Sequence, residues 1–307
     1  MRITLGDLET TDSDVDTWGV RKLYANAAGA NVQEWYFNME NPRSDNRLRN
    51  LQRANLRRME DDRSWYVDGT EDDGKGQVRL EAWSESGNKK WLNTEVTVYG
   101  FFIDDLSGEF DPGRYAFQLY SGGGHHSSRE GRRCEGACYK VRLFKNGKIA
   151  VVKEPQHPVY CRNRGTKRAT DEDLRGRWIG LKQVRYNYEE DNRVYVANEA
   201  WIDDNSDSDG ELVIRNRWRR VANVHDRGGW DAFAGQMEDW DGNCPRLDVN
   251  ANRRDREVTD IINMPGGTDE GNLAALRCDG VKLKFKFFSV REINPPKPDE
   301  PSNENED

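Results

Sequence analysis

The sequence has no long apolar run. Among its 307 residues, no apolar stretch reaches the length that a membrane-spanning helix requires. Residues 1–18, MRITLGDLETTDSDVDTW, also lack the apolar centre of a signal peptide. The sequence therefore predicts a protein without a membrane-spanning helix.

Several motifs that identify enzyme classes are absent as well. There is no GxGxxG, no GxxxxGK[ST] and no GxSxG, which argues against nucleotide binding and against the α/β-hydrolase mechanism. Glycosidases use two facing carboxylates, but among 55 acidic residues the sequence singles out no pair. Histidine is scarce, with four in the chain, and three of them lie in polar segments described below.

A positive net charge is missing too. Lys and Arg number 47 against 55 Asp and Glu, a formal charge of −8, so nucleic-acid binding is not expected. One segment is nevertheless rich in arginine, and it is either a docking surface for an anionic partner or a solvated helix face. Its arginines are Arg43, Arg47, Arg49, Arg53, Arg57 and Arg58.

Cysteine is sparse and odd in number. Five cysteines cannot all pair within one chain, and their spacing is not that of a zinc site. We expect Cys161 to pair with Cys134 or Cys138, and Cys244 to pair with Cys278. This expectation rests on the extracellular character of the sequence, because disulfides persist outside the cell.

Aromatic residues and strand patterns are abundant. The chain has ten Trp, eleven Tyr and ten Phe, a composition that favours strands. Apolar and polar residues alternate in several segments, and Asn146-Gly147 marks a hairpin turn. The pattern predicts an all-β fold, a two-sheet antiparallel β-sandwich of the jelly-roll type with one or two short helices. The alternating segments are WLNTEVTVYGFF, RYAFQLY, YKVRLFKNGKIAVVKE, WIGLKQVRYNY, RVYVANEAWID and VKLKFKFFSVREI.

The alternation also predicts which side chains share a face. In RYAFQLY, Tyr115 is expected to point the same way as Phe117, and Ala116 the same way as Gln118. In the last strand, Phe287 is expected to face inward together with Leu283 and Phe285.

Helices and termini complete the predicted organisation. Apolar residues at nearly helical spacing in SDNRLRNLQRANLRRMEDD predict a short helix after Ser44 or Asp45, and a second is possible near residues 253–262. The acidic residues 1–17 are expected to be flexible, residues 18–293 to form a single jelly-roll domain, and the Pro-rich, acidic tail 294–307 to be disordered.

The segment KEPQHPVYC, which follows the Asn-Gly hairpin, carries the parts for proton transfer. Prolines stiffen it, so Gln156, His157 and Tyr160 can be held at a sheet edge. A histidine can take up a proton near neutral pH, and a tyrosine can return one. The alternative is a polar β-turn in which the histidine bonds to the backbone.

Two further features are candidates for a binding cleft. The loop SGGGHHSS places His125 after a strand, where three glycines allow close approach of a ligand. The polar faces of two strands carry amide, charged and phenolic groups of the kind that bind sugars, although cross-strand pairing on a solvated sheet explains them equally well. These side chains include Asn93, Glu95, Lys182 and Tyr186.

A calcium site is possible in IDDNSDSDGEL. Asn205, Asp207 and Asp209 place oxygen ligands at alternate positions before a glycine, and Asp203 could add another. The twelfth position of the loop, Asn216, is not the glutamate of an EF-hand, so an acidic hairpin turn is the competing interpretation.

The order of WLNTEVTVY, YSGGGHH, KEPQHPVY, GRWIGLKQVRYN and SVREI resembles the concanavalin-like jelly-roll proteins. This group includes polysaccharide lyases of the alginate and glucuronan lyase type and many relatives of unknown activity. Such lyases carry an Arg-x-Glu strand, a Gln/His pair and a Tyr on a concave sheet. By this resemblance Arg79 and Glu81 match the first, and Gln156 and His157 the second, although the latter two are adjacent rather than alternating.

The resemblance implies a secreted lyase that cleaves an acidic, uronate-containing polysaccharide by β-elimination. Lys182 or Arg79 would neutralise the substrate carboxylate. The base would be His157 or His125, and the acid Tyr186 or Tyr160. Substrate-binding candidates are Arg79, Glu81, Asn93, Glu95, Gln118 and Gln156, and calcium would be structural. The alternatives are a non-catalytic carbohydrate-binding protein and a self-assembling structural subunit of an extracellular coat or fibre.

Overall fold

The computed structural model describes residues 14–27, 32–50, 54–69, 76–84, 91, 93–107, 109–123, 138–154, 160–170, 173–204, 211–227 and 273–296. In these residues the chain forms fifteen β-strands arranged as two antiparallel sheets. The prediction of an all-β, two-sheet sandwich is confirmed.

An eight-stranded sheet has the order β13-β12-β11-β6-β15-β4-β3, with β1 paired to β15. Its strands are β1 Glu34–Tyr36, β3 Asn55–Arg58, β4 Trp65–Asp68, β6 Thr94–Asp105, β11 Trp178–Glu190, β12 Arg193–Asp204, β13 Arg219–Asp226 and β15 Val281–Glu292.

A seven-stranded sheet has the order β10-β9-β8-β7-β14-β5-β2. Its strands are β2 Leu48–Asn50, β5 Gln77–Trp83, β7 Tyr115–Gly123, β8 Cys138–Phe144, β9 Lys148–Glu154, β10 Arg164–Arg168 and β14 Leu273–Asp279.

The main core lies between the two sheets. Every second side chain of the central strands enters it, as Val96 and Val98 do from β6 and as Val141 and Leu143 do from β8. Since strand side chains alternate between faces, the residues between them point away from the core. This alternation decides which polar side chains form each outward face.

The helix predicted after Ser44 or Asp45 is wrong. The chain there forms a 3-10 helix of one turn, Pro42–Ser44, followed by the short strands β2 and β3. Each strand is hydrogen-bonded at the edge of a different sheet, so pairing with a long neighbouring strand overrides the local helical spacing. The second possible helix, near residues 253–262, lies outside the described residues.

Two β-bulges overturn predictions about which side chains face inward. A register shift between Lys286 and Ser289 turns Phe287, whose φ is 58°, to the outward side and places Phe288 in the core. A shift between Tyr115 and Phe117 lets Ala116 join the core. A bulge adds one residue to a strand, and so it breaks the period of two.

The disulfide predictions are not supported. Cys138 and Cys278 are free, buried thiols, which excludes the pairs Cys138–Cys161 and Cys244–Cys278. Cys138 lies on the outward face of its sheet and Cys161 in the core between the sheets, so the two side chains are on opposite sides of the backbone. Cys134, the other predicted partner of Cys161, lies outside the described residues, as does Cys244.

The predicted organisation of the termini is not tested and stays a prediction. Residues 14–27, called the N-terminal segment below, are bonded to the eight-stranded sheet through an isolated bridge between Asn26 and Ile293 and a hydrogen bond from the Asn294 amide to the Ala25 carbonyl. None of the described helices is long and apolar enough to cross a membrane.

Candidate functional site

The outward side of the seven-stranded sheet carries a dense set of charged and phenolic side chains, called the polar face below. They come from four neighbouring strands in which the intervening residues enter the core. The polar face consists of Arg79 and Glu81 on β5, Arg277 and Asp279 on β14, Gln118 and Tyr120 on β7, and Lys140 and Arg142 on β8.

The strand register arranges the polar face in two rows. Arg277 is directly opposite both Arg79 and Gln118, and Gln118 is opposite Arg142. One row therefore contains three arginines and one amide on successive strands, at spacings of about 4.8 Å.

The second row runs parallel to the first, two residues further along each strand. Ala275 is opposite Glu81 and Tyr120, and Tyr120 is opposite Lys140. The small side chain of Ala275 separates a carboxylate from a phenol. The first row thus carries three cations and an amide, and the second row carries an acid, a phenol and a cation, nearly all of them buried.

Two buried hydrogen-bond donors in the first row have no partner among the described residues. Arg142 Nε donates to Gln118 Oε1 at 2.9 Å, which orients the amide. Gln118 Nε2 is buried and has no hydrogen-bond partner among the described residues, and neither does Arg79 Nε. Buried donors are nearly always satisfied in proteins, so these two groups point to a ligand or to water.

The Tyr120 phenol is protonated at neutral pH. Burial raises the pKa of Tyr120 well above its ordinary value, and the nearby Glu81 carboxylate raises the pKa further. Its hydroxyl donates to Glu81 Oε1 at 3.3 Å, while Trp83 Nε1 donates to Glu81 Oε2 at 3.0 Å. The carboxylate therefore fixes both aromatic rings.

Tyr160 lies over the β8 side of the polar face. Its ring centroid is 4.7 Å from Lys140 Nζ and 5.4 Å from Arg142 Cζ, distances typical of cation–π contacts. Lys140 itself is buried and paired with Glu154. Tyr160 remains partly exposed, and so the phenol of KEPQHPVYC is brought to the polar face.

Arg277, in the middle of the first row, is held by an ion pair. Arg277 Nη2 donates to Asp279 Oδ2 at 2.6 Å, and the Tyr115 hydroxyl donates to the same oxygen at 2.5 Å. Burial alone would raise the pKa of Asp279, but Arg277 outweighs it and holds the pKa below its ordinary value. Both partners are therefore charged at neutral pH.

The predicted residues on the eight-stranded sheet form a separate and closed network. Lys182 Nζ donates to Glu95 Oε1 at 2.6 Å and to Thr97 Oγ1 at 2.8 Å. The other oxygen of Glu95 accepts from Arg291 at 2.6 Å and from the backbone amide of Leu23 at 3.1 Å. The N-terminal segment thus bonds directly to this carboxylate.

The remaining predicted residues of this sheet are also in structural contacts. Asn93 Oδ1 accepts from the backbone amide of Asn187 at 2.9 Å. Tyr186 is buried in the outward aromatic cluster, next to Tyr188. Because the two sheets lie back to back at about 10 Å, these side chains and the polar face are on opposite sides of the molecule and cannot contact one sugar ring.

Several predicted residues lie outside the described residues: His125, Gln156, His157, Asn205, Asp207 and Asp209. Asp203 is described, and its carboxylate accepts from the Tyr99 hydroxyl at 2.8 Å and from the backbone amides of Asn216 and Arg217 at 3.1 and 3.2 Å. In the described part of the chain, no three His, Cys, Asp or Glu side chains are grouped so as to hold a metal ion.

The structure thus brings four predicted residues to one face, namely Arg79, Glu81, Gln118 and Tyr160. Four further residues of this face were not predicted as site residues from the sequence: Tyr120, Lys140, Arg142 and Arg277. For Lys140 and Arg142 the signal was present, because polar and apolar residues alternate in YKVRLF. The resemblance matched Gln156 and His157 to the Gln/His pair, and both lie outside the described residues.

Comparisons with known proteins found similarity among solved structures. No family model matches the sequence, and no curated protein matches it. Among solved structures, the chain is similar to the crystal structure of the alginate lyase vAL-1 from Chlorella virus. The similarity has a TM-score of 0.36 at 10% identity and covers 80% of this chain and 90% of that chain.

Proposed function

We propose that the protein is a polysaccharide lyase that acts outside the cell on an acidic, uronate-containing polysaccharide. The observation that carries the proposal is the row of Arg79, Arg277, Gln118 and Arg142 across four neighbouring strands, with phenols beside it. Cations and an amide can stabilise the charge that develops on a uronate carboxylate when the adjacent carbon loses its proton.

The proposed reaction is a β-elimination. A base removes the proton from the carbon next to the carboxylate, and the electron pair forms a carbon–carbon double bond. The glycosidic C–O bond breaks, and an acid protonates the leaving oxygen. Arg79 or Arg142 neutralises the carboxylate, Gln118 donates a hydrogen bond to it, and Tyr160 or Tyr120 supplies the proton.

His157 remains our first candidate for the base. It precedes Tyr160 by three residues in the sequence, and three residues span at most about 10 Å. A histidine suits the role because its ordinary pKa is near neutrality. His125 is the second candidate.

The assay that tests the proposal is the growth of ultraviolet absorbance on a panel of uronate polysaccharides, since elimination creates an unsaturated uronate. We expect Tyr160→Phe to lower kcat/KM by about 100-fold, the usual contribution of a positioned proton donor. Tyr186→Phe is the matched control, because it removes the same hydroxyl from the opposite side of the sandwich, and it should leave kcat/KM unchanged.

The reverse ranking of the two tyrosine variants would move the site to the eight-stranded sheet. If His157→Ala and His125→Ala both kept full activity, the proposed base would be wrong.

The alternative function is non-catalytic carbohydrate binding. The polar face supplies cations, an amide and phenols, which are groups of the kind that bind sugars. The alternative predicts saturable binding of a polysaccharide without absorbance growth, and retention of binding when both histidines are replaced. Concentration-dependent light scattering without either result would indicate the structural-subunit alternative.

We also propose that a calcium ion stabilises the fold. Its ligands would be Asp203, Asn205, Asp207 and Asp209. Carboxylate and amide oxygens are the ligands that calcium prefers. We expect chelation to lower the unfolding temperature, and Asp207→Asn together with Asp209→Asn to remove that effect. An unfolding temperature unaffected by calcium and by chelator would eliminate the site.

A further inference from the structure

An exposed arginine stands at the edge of the polar face. Arg49 belongs to β2, the edge strand of the seven-stranded sheet, and is directly opposite Glu81 in the neighbouring strand. Its guanidinium carbon is 4.6 Å from the centroid of the Trp83 ring. The side chain therefore extends the second row of the polar face by one strand.

The support beneath Arg49 is rigid. Trp83 is buried and donates from Nε1 to Glu81. Arg47 makes two hydrogen bonds to the backbone of Trp83. The Trp83 amide donates to the Arg47 carbonyl at 2.9 Å, and Arg47 Nε donates to the Trp83 carbonyl at 2.9 Å. A guanidinium that rests on a fixed ring loses little freedom when it binds.

Apart from its contact with the Trp83 ring, the charge of Arg49 is not used by an ion pair within the described residues. The Arg49 side chain is exposed, and in the part of the chain that the structure describes no carboxylate forms an ion pair with it. The neighbouring arginine Arg58 does have such a partner, because it pairs with Glu40 through two hydrogen bonds. An exposed, ring-supported guanidinium suits bidentate binding of a carboxylate.

The distance along the row sets the size of the ligand. Four strand spacings separate Arg49 from Lys140, where Tyr160 lies, which is about 19 Å. One sugar carboxylate cannot reach both ends. Arg49 is exposed and Tyr160 partly exposed, whereas Glu81, Tyr120 and Lys140 between them are buried, so a polymer that contacts both ends must pass over the buried row.

We propose that Arg49 on Trp83 is a remote subsite for a carboxylate of a long polyuronate, which makes binding depend on chain length. This inference rests on the proposed function, because it assumes that the polysaccharide substrate binds along the polar face. The subsite is expected to increase the affinity of the protein for long chains. The affinity for short oligomers is expected to be unchanged.

Isothermal titration calorimetry with a long polyuronate and with a short oligomer of the same sugar tests the subsite. We expect Arg49→Ala to weaken binding of the long chain on the order of tenfold, as the loss of a charge-assisted hydrogen bond predicts, and to leave binding of the short oligomer unchanged. Arg49→Lys should keep part of the effect, since it retains the charge.

Arg57→Ala is the matched control. Arg57 is also an exposed arginine on a short edge strand, with its guanidinium carbon 4.4 Å from the centroid of the Tyr66 ring. It lies on the edge of the other sheet, opposite Tyr66. The two alanine variants change the net charge equally, so Arg57→Ala should bind both ligands like the wild type.

The binding and absorbance assays separate this inference from the proposed function. Arg49-dependent binding of the long chain without absorbance growth supports the subsite and contradicts the lyase. Absorbance growth with equal long-chain affinity in Arg49→Ala and wild type overturns the subsite and leaves the lyase standing. Equal weakening by Arg49→Ala and Arg57→Ala, or absence of polyuronate binding by the wild type, also overturns the subsite.

Discussion

Glu95 illustrates at the residue scale how a buried charge can be structural rather than catalytic. Its side chain is 1% exposed, and its oxygens accept from Lys182, Arg291 and the backbone of Leu23. A buried carboxylate is tolerable only with such partners, because desolvation of an unpaired charge is costly. The role that this geometry gives Glu95 is to fasten the N-terminal segment to the sheet.

Replacement of Glu95 should therefore destabilise the fold. We expect Glu95→Gln to lower the free energy of unfolding by about 3–5 kcal/mol, because it leaves two buried cations without their counter-charge. Urea unfolding followed by tryptophan fluorescence measures the loss.

Glu40→Gln is the control for the same substitution at the surface. Glu40 pairs with Arg58, but its side chain is 73% exposed, and exposed pairs contribute about 1 kcal/mol or less. Equal effects of the two variants would contradict the structural role of Glu95.

At the element scale, the packing of β6 against β7 fixes how closely the two sheets approach. Gly100 lies on the inward side of β6, where a Cβ atom would come within 2.7 Å of the Phe117 ring on β7. Phe117 is completely buried, so it cannot turn away into solvent. A glycine is needed at this crossing because the opposite ring occupies the space.

A methyl group at this crossing should strain the sandwich. We expect Gly100→Ala to lower the free energy of unfolding by about 1–3 kcal/mol, as overpacking of a core does. Thermal unfolding by circular dichroism measures the change.

Gly113→Ala is the comparison, since a Cβ there would meet only the Asp111 side chain, at 3.2 Å, in an exposed turn. If Gly100→Ala unfolded at the same temperature as Gly113→Ala, the claim that β6 and β7 approach too closely at Gly100 for a side chain would be wrong.

For the whole molecule, buried carboxylates couple stability to pH. Burial alone would raise the pKa of Glu95, but Lys182 and Arg291 outweigh it and hold the pKa below its ordinary value, as Arg277 does for Asp279. A carboxyl group whose pKa is lowered by folding contributes stability above its unfolded-state pKa, about 4. This contribution is lost as the pH falls through the folded-state value.

The unfolding temperature should therefore be nearly constant from about pH 7 to pH 5 and fall steeply below about pH 4. Differential scanning calorimetry at a series of pH values measures the profile. Glu95→Gln, which cannot titrate at this position, should show a shallower fall. An unfolding temperature that rises on acidification would contradict the assigned direction of these pKa shifts.

Local patterns in the sequence predicted much of the individual strands. The period of two in TEVTVYGFF and YKVRLF shows which side chains enter the core, because a strand turns successive residues to opposite faces. The Asn146-Gly147 turn predicted the β8–β9 hairpin, since a tight turn and its two strands are contiguous in the chain. Where a bulge adds a residue, as at Phe287, the period fails and so does the prediction.

The sequence by itself determined the all-β class, several strands and the presence of Arg79, Glu81, Gln118 and Tyr160 as candidates. Only the tertiary structure decided that these four share the outward face of the seven-stranded sheet. It also decided that Lys182 and Tyr186 lie on the outward face of the eight-stranded sheet. The physical reason is that sheet pairing joins distant segments. Strand β14 lies between β5 and β7, and it places Arg277 beside Arg79 and Gln118 although no local pattern connects them.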